Sequence, residues 1–231
     1  MSKTPANPIR TCASSPKMPH FNPFPGFDSI ERKHRNLPHW TYPGVTYFVT
    51  FRLADSIPKS ALKEWEARKT DFLTSQAVSD PTELSPKLQW KYRKRFGREY
   101  QLKLDECHGE CLLKEPCIRD IVEDAMHSFN EERYHLGDFV IMPNHVHSLL
   151  VPRSEWPLSK ILHSWKSFSA HEINKTLKRE GPVWQSESYD HIVRTREELD
   201  RIRRYIRRNP EKSKLSSSQF TFGSAEWTFE S

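Results

Sequence analysis

The chain has 231 residues, of which 35% are hydrophobic and 29% charged, and 36 Lys and Arg against 30 Asp and Glu give a net charge of +6. No apolar run reaches the roughly 18 residues that a membrane-spanning helix needs, and four cysteines in a chain this long do not make a disulfide framework. These features exclude a membrane-spanning or disulfide-stapled protein and predict a cytoplasmic, reduced one.

The first half of the chain alternates between polar segments and clear structural signals. Residues 1–36 are rich in proline and are predicted to form a disordered or loosely attached arm. Alternating β-branched and aromatic residues predict a strand at residues 45–53, and a helix follows over residues 59–72. Residues 74–104 are polar and then strongly basic, which indicates an insertion with a helix of its own near residues 87–96.

The second half carries more regular periodicity. Apolar spacing predicts a helix over residues 116–130, two strands at 134–142 and 145–151 joined by a Pro-Asn turn, an amphipathic helix over 158–177 and a fourth strand within 183–193. On the helix over 158–177 the residues expected to be buried are Ile161, Leu162, Trp165, Phe168, Ile173 and Leu177.

The order of these elements predicts the fold class. Strand, helices, strand, strand, helix, strand and helix make an α+β protein with a ferredoxin-like β-α-β-β-α-β antiparallel sheet and an additional C-terminal helix. We expect a single domain over residues 37–214, with the insertion inside it, and a tail over residues 215–231.

The last helix carries an unusual combination of side chains. Thr195 begins it and Glu198 completes a capping-box pattern, while Asn209-Pro210 is predicted to end it. Tyr205 and Asn209 are four residues apart and therefore project from one face. The functional interpretation makes Tyr205 a nucleophile toward phosphorus and Asn209 an oxygen ligand of a metal. The structural alternative is a half-buried core tyrosine.

Basic residues cluster in two runs. Residues 87–103 carry seven basic residues and one acid, and residues 194–214 carry nine basic residues and four acids. Such clusters are typical of a phosphate-binding surface, although solvated helix faces also produce them. The residues predicted to contact DNA are Lys91, Arg93, Arg95, Arg194, Arg201, Arg204, Arg207 and Arg208.

The tripeptide His145-Val146-His147 indicates a metal site. On a strand, residues two apart point to the same face, so both imidazoles project together while Val146 points into the opposite layer. Two neutral imidazoles can share one divalent cation. Two ordinary strand histidines remain the alternative for this motif taken alone.

Together these motifs resemble a known family. MPNHVHSLL (142–150), PVWQSESYDHIVR (182–194) and YIRRNP (205–210), together with HWTYPGVTYFVTFRL (39–53), are similar to the IS200-like single-tyrosine (Y1) HUH transposases, above all to the branch called REP-associated tyrosine transposases. The resemblance covers roughly residues 37–214.

The resemblance implies an activity. His145, His147 and Asn209 would bind Mg²⁺ or Mn²⁺, and Tyr205 would attack a DNA phosphodiester to form a 5′-phosphotyrosine. Single-stranded or hairpin DNA is then the expected partner, and the protein would nick and rejoin it, as a monomer or a homodimer, in DNA transposition or in processing of repeat palindromes. Family members of the insertion-sequence type carry glutamine at the position of Asn209.

Three alternatives stay open at this stage. Tyr189 is a rival nucleophile, and Gln185 and His191 are rival metal-shell residues. The chain could instead be a non-catalytic, domesticated nucleic-acid-binding protein, since ferredoxin-like sheets also bind RNA. A structural zinc site could be formed by the set Cys107, His108, Cys111 and Cys117, although its spacing is unusual for one.

Overall fold

The computed structural model describes residues 19–21, 31–34, 38–41, 44–106 and 108–229. Its strands are β1 (His20–Phe21), β2 (Glu31–His34), β3 (Pro38–Thr41), β4 (Tyr47–Arg52), β5 (Tyr134–Ile141), β6 (His145–Pro152), β7 (Tyr189–Ile192), β8 (Thr221–Gly223) and β9 (Thr228–Phe229). Its α-helices are α1 (Lys59–Ser75), α2 (Pro86–Asp105), α3 (Pro116–His127), α4 (Leu158–Leu177) and α5 (Arg196–Lys212). Most of the predicted arm over residues 1–36 lies outside the described residues.

A five-stranded antiparallel sheet in the order β7-β4-β6-β5-β8 forms the centre of the fold. Strand β6 lies between β4 and β5, which are connected through helices, and β4 lies between β6 and β7. This is the split arrangement of a ferredoxin-like sheet. The predicted α+β fold, with α5 added after the fourth strand, is therefore confirmed.

The sheet buries a different set of side chains on each face because neighbouring residues of a strand point in opposite directions. One face packs against α3 and α4, and its cluster includes Val49, Phe51, Val146 and Trp165. The opposite face packs against α5 and the C-terminal segment through a second cluster that includes Phe48, Ile202 and Ile206. Helix α5 therefore lies over the face to which the side chains of His145 and His147 belong.

Helices α1 and α2 form a hairpin outside the sheet. Its own small core contains Leu73, Leu84, Tyr92 and Phe96, and the rings of Phe72 and Phe96 meet edge to face at 5.8 Å. The sequence predicted only residues 87–96 as helix within the insertion, whereas α2 extends over 20 residues. The apolar stripe Tyr92, Phe96, Tyr100, Leu104 recurs every four residues. Tyr92 and Phe96 pack in the hairpin core, while Tyr100 and Leu104 contact Arg52 and Asn144 of the domain.

Two further boundaries differ from the predictions. Helix α5 continues through Pro210 to Lys212, because a proline in the last turn removes only one intrahelical hydrogen bond. The segment after Lys214, predicted as a tail, adds β8 to the edge of the sheet beside β5 and pairs β9 with β1. Its aromatic residues supply the packing, since Trp227 is buried. The division into arm, domain and tail stays a prediction.

Within α4, burial follows the prediction at four of the six positions. Ile161, Leu162, Trp165 and Ile173 are buried, whereas Phe168 and Leu177 are exposed. These two side chains fall on the edge of the helical stripe, beyond the reach of the sheet. Within the described residues, no helix combines the length and apolar character needed to cross a membrane.

Candidate active site

Two histidines of β6 lie side by side beneath α5. His145 and His147 are fully buried, and their Nε2 atoms are 3.1 Å apart. Val146 between them packs in the cluster on the other face, so the predicted alternation along this strand is confirmed. Two imidazole nitrogens bound to one cation at about 2.1 Å each lie about 3.0–3.4 Å apart, and the observed separation fits that requirement.

Each imidazole is held through its other nitrogen. The amide nitrogen of Asn144 donates to the carbonyl oxygen of Leu104 at 3.1 Å, so its amide oxygen accepts from Nδ1 of His145 at 2.7 Å. The hydroxyl of Thr50 is 2.8 Å from Nδ1 of His147. Partners of this kind fix ring orientation and leave Nε2 available to a metal.

Burial also keeps both rings neutral. Loss of solvent lowers the pKa of His145 to about 3. Burial, and then the neighbouring His145 and Lys212, lower the pKa of His147 well below its ordinary value. Near neutral pH both side chains therefore carry lone pairs, which is the state that binds a divalent cation.

Tyr205 of α5 reaches the histidine pair directly. Its hydroxyl is 3.2 Å from Nε2 of His147, and its ring meets the ring of Phe48 edge to face at 6.1 Å. The ammonium group of Lys212 lies 4.8 Å from the centre of the Tyr205 ring. The nucleophile predicted from sequence is thus placed beside the predicted metal ligands.

Asn209 lies one turn farther along α5, where it is 1% exposed. Neither its amide nitrogen nor its amide oxygen has a hydrogen-bond partner among the described residues. An unpaired buried amide costs roughly 1–3 kcal/mol, so this side chain is suited to a ligand that the chain itself does not supply. Among the described residues, no third His, Cys, Asp or Glu completes a metal-binding cluster with the two histidines, and the role of Asn209 as third ligand stays a prediction.

The chain is similar to a known family and to a solved structure. A family model described as IS200-like transposase matches residues 91–209, just over half of the chain. This chain belongs to the IS200-like transposase family. A solved structure of a REP-associated tyrosine transposase bound to a REP hairpin is similar at 16% identity, covering 78% of this chain and 73% of that chain with a TM-score of 0.44. No curated protein matches the chain. The family expected from the sequence is confirmed.

The rival side chains are placed differently. Tyr189 lies on the same sheet face but is 40% exposed, and its ring meets Phe48 edge to face at 6.5 Å. His191 pairs with Glu198 at 3.0 Å, and Gln185 donates its amide to the Ala54 carbonyl at 2.7 Å. The His191 and Gln185 side chains are thus engaged in structural contacts.

The alternative zinc site does not assemble from the described residues. Cys111 is a buried free thiol and Cys117 an exposed one, and His108 pairs with Glu106 at 2.7 Å. Cys107 lies outside the described residues. Within the described chain, these side chains form no group that could hold a metal.

The predicted DNA-contacting residues occupy two surfaces. Arg204, Arg207 and Lys91 are exposed. Arg201 pairs with Glu198 at 3.1 Å, Arg208 with Glu211 at 3.7 Å and Arg95 with Glu99 at 3.8 Å. Arg194 is half-buried, and its backbone nitrogen donates to Glu198 at 2.9 Å. The side chain of Arg93 is outside the described part of the structure. Their roles in DNA binding stay predictions.

Some site residues were not identified from sequence. The Pro-Asn pattern predicts Asn144 only as part of a turn, whereas in the structure its amide oxygen accepts from Nδ1 of His145. Thr50 was assigned only to a strand face. Lys212 was missed because the helix was predicted to end before it, and its spacing of seven from Tyr205 then had no meaning.

Proposed function

We propose that this transposase is a metal-dependent single-stranded DNA endonuclease and strand transferase that forms a 5′-phosphotyrosine intermediate through Tyr205. One observation carries the proposal, namely the Tyr205 hydroxyl at 3.2 Å from Nε2 of His147. A tyrosine placed for packing alone does not need its hydroxyl beside a neutral imidazole that carries a lone pair.

His145, His147 and Asn209 would hold the metal, and Mg²⁺ or Mn²⁺ suits two imidazoles with one amide oxygen. A bound divalent cation supplies Lewis-acid polarisation of a phosphate oxygen. The facing Nε2 atoms and the unpartnered Asn209 amide support this assignment. Thr50 and Asn144 would keep both rings in their binding orientation.

The chain's own residues provide the nucleophile and its environment. A phenol has an ordinary pKa of about 10, so the tyrosine needs a nearby positive charge to react as phenolate. Lys212 is the cation that lies over its ring. The Tyr205 oxygen forms a bond to phosphorus while the bond to the 3′ oxygen breaks, which leaves a 3′-OH and a DNA 5′ end on the protein. A 3′-OH can reverse the step, so cutting and rejoining need no nucleotide cofactor.

The substrate class follows from the surfaces and the resemblance. Exposed arginines of α5 and basic residues of α2 favour binding to phosphates. The resemblance to the REP-associated branch supports hairpin DNA from repeat palindromes with single-stranded flanks. We place the activity in DNA transposition or in processing of such repeats, by a monomer or a homodimer.

An adduct assay tests the proposal. A labelled hairpin oligonucleotide with single-stranded flanks, taken from imperfect palindromes beside the gene, is incubated with the full chain and Mn²⁺. We expect an SDS-stable protein–DNA adduct that Tyr205→Phe and EDTA abolish. Tyr189→Phe is the matched control and should retain the adduct, since Tyr189 is the half-exposed tyrosine on the same face.

Two results would count against the proposal. An adduct that survives in Tyr205→Phe and disappears in Tyr189→Phe would transfer the nucleophile to the rival tyrosine. DNA binding without any adduct, unaffected by Mn²⁺ and by His145→Ala, would instead favour the non-catalytic nucleic-acid-binding alternative.

A further inference from the structure

Helix α2 of the insertion contacts the histidine site at two points one helical turn apart. The carbonyl oxygen of Leu104 accepts from the Asn144 amide that orients His145. The hydroxyl of Tyr100 accepts a hydrogen bond from Nε of Arg52. Residues four apart share a helix face, so one face of α2 is built against the site.

Arg52 is the notable partner in this arrangement. It is 6% exposed, and it lies directly opposite His145 in the register of β4 and β6, so the two side chains belong to the same sheet face. Its Nη1 donates to the Ser56 hydroxyl at 3.0 Å. Among the described residues, the guanidinium group donates from Nε and Nη1 only, and no carboxylate forms an ion pair with it. Its Nη2 is not one of the buried unpaired atoms and is therefore open to a ligand.

Tyr100 and Ser56 accept hydrogen bonds from Arg52, but neither hydroxyl carries a negative charge that would neutralise the guanidinium group. Burial raises the pKa of Tyr100, an effect that Arg52 only partly opposes, so the phenol stays protonated near neutral pH. Glu187 also raises the pKa of Tyr100, yet it makes no ion pair with Arg52. The buried charge of Arg52 is therefore suited to an anionic ligand, and a hydroxyl that accepts from Nε keeps its own hydrogen to donate.

We infer that Arg52 and Tyr100 form a phosphate-binding subsite beside His145, which takes a backbone phosphate of the DNA strand adjacent to the reacting one. The planar guanidinium group would donate from Nη2 and the phenol from its hydroxyl, the geometry that suits phosphate oxygens. The choice of DNA as ligand rests on the proposed function. The α1–α2 hairpin then has a role, because the ring of Trp65 on α1 meets the Tyr100 ring at 5.3 Å and so holds Tyr100 beside Arg52.

Salt-dependent binding measures this contact without requiring catalysis. Fluorescein-labelled dT20 is titrated with full-length Tyr205→Phe protein in EDTA at several salt concentrations, with and without Arg52→Gln. One lost phosphate contact should reduce the magnitude of the slope of log K against log salt by about 0.7. The dissociation constant should rise about tenfold or more. Arg153→Gln is the matched control, because Arg153 is exposed and follows the far end of β6.

Further variants separate a phosphate contact from a folding defect. Tyr100→Phe keeps the ring and should weaken dT20 binding about threefold, while Arg52→Lys should preserve the salt slope but weaken binding. The inference is overturned if Arg52→Gln has the same salt slope and the same affinity for dT20 as the parent protein and Arg153→Gln. So would a fall in affinity matched by a loss of thermal stability in Arg52→Gln and absent from Tyr100→Phe. This binding titration uses Tyr205→Phe protein in EDTA, so it needs neither the metal nor the nucleophile. Its result therefore does not depend on whether the adduct assay of the proposed function succeeds.

Discussion

The two faces of the central sheet are built from alternate residues of the same strands, yet they differ in chemistry. On the face beneath α3 and α4, Val146 and Phe51 contact other hydrocarbon groups, and the buried polar atoms of Trp165 and Tyr134 bond to each other at 2.8 Å. On the face beneath α5, the buried groups include Asn209 and Arg52. Among the described residues, the Asn209 amide has no hydrogen-bond partner and Arg52 forms no ion pair.

This difference shows how a small domain can hold reactive groups in a fixed place. The hydrocarbon face supplies stabilisation that is roughly proportional to buried apolar area. The face beneath α5 is less stabilising, because burying polar groups away from water costs free energy. Val146 and His147 are adjacent in sequence, but one belongs to the packing and the other to the site.

Trp165 tests the hydrocarbon face and should give the largest effect. The side chain is 2% exposed, so Trp165→Ala should lower the free energy of unfolding by about 3–5 kcal/mol. Denaturation by urea measures this change. Phe168→Ala, on the same helix but 50% exposed, should change it by less than about 0.5 kcal/mol. Similar losses for both variants would mean that the two faces do not divide stability in this way.

Replacement of Asn209 tests the face beneath α5, where we expect a large change in Mn²⁺ affinity and a small change in stability. In EDTA, Asn209→Ala should leave the free energy of unfolding within about 1 kcal/mol of the parent value, because an unpaired amide is removed along with its packing. Mn²⁺ affinity measured by calorimetry should fall about tenfold or more. Asn130→Ala is the control, since its amide oxygen accepts from the Leu136 backbone at 2.8 Å.

The control should behave in the opposite way. Loss of the Asn130 bond should cost about 1 kcal/mol and leave Mn²⁺ affinity unchanged. If Asn209→Ala instead strongly lowers the free energy of unfolding in EDTA and leaves Mn²⁺ affinity unchanged, the amide is a structural group. The face beneath α5 would then not differ from the hydrocarbon face at this residue.

Lys212 should give the smallest effect. Its ammonium group is 4.8 Å from the Tyr205 ring centre, and a partly solvated charge at that distance contributes about 1 kcal/mol, or roughly a fivefold change in rate. Lys212→Gln should slow adduct formation by that factor, measured in single-turnover reactions, while Lys212→Arg retains most of the rate. Lys175→Gln at the end of α4 provides the control. Equal rates for Lys212→Gln and Lys175→Gln would remove the cation from the mechanism.

Much of the fold could be predicted because its signals are local. Alternation marked β4 and β6, and helical spacing marked α3 and α4. The strand β8 could not be predicted, since three residues ending in glycine have no periodicity and pair only because β5 presents an open edge. The length of α2 was hidden by basic residues that mask the stripe through Phe96 and Leu104.

The site was partly predictable for a related reason. His145, His147, Tyr205 and Asn209 are each marked by spacing within one element, and the structure places Tyr205 beside the histidines. Arg52 could not be recognised, because its meaning depends on strand register and on a hydroxyl 48 positions away. Sequence spacing predicts which residues share a face. Whether a charged side chain such as Arg52 has a partner of opposite charge depends on elements that meet only in the folded chain.

The carboxylate of Asp138 connects helix α5 to the C-terminal segment. It accepts from Nε of Arg203 on α5 and from the Trp227 indole, both at 2.8 Å, and Arg203 also donates to the Ala225 carbonyl. The angle at which Tyr205 is presented therefore depends on residues far downstream of every motif. A gene fragment chosen by its motifs alone, and cut at residue 214, would encode every predicted site residue but would lack Ala225 and Trp227, whose contacts with Arg203 and Asp138 hold α5.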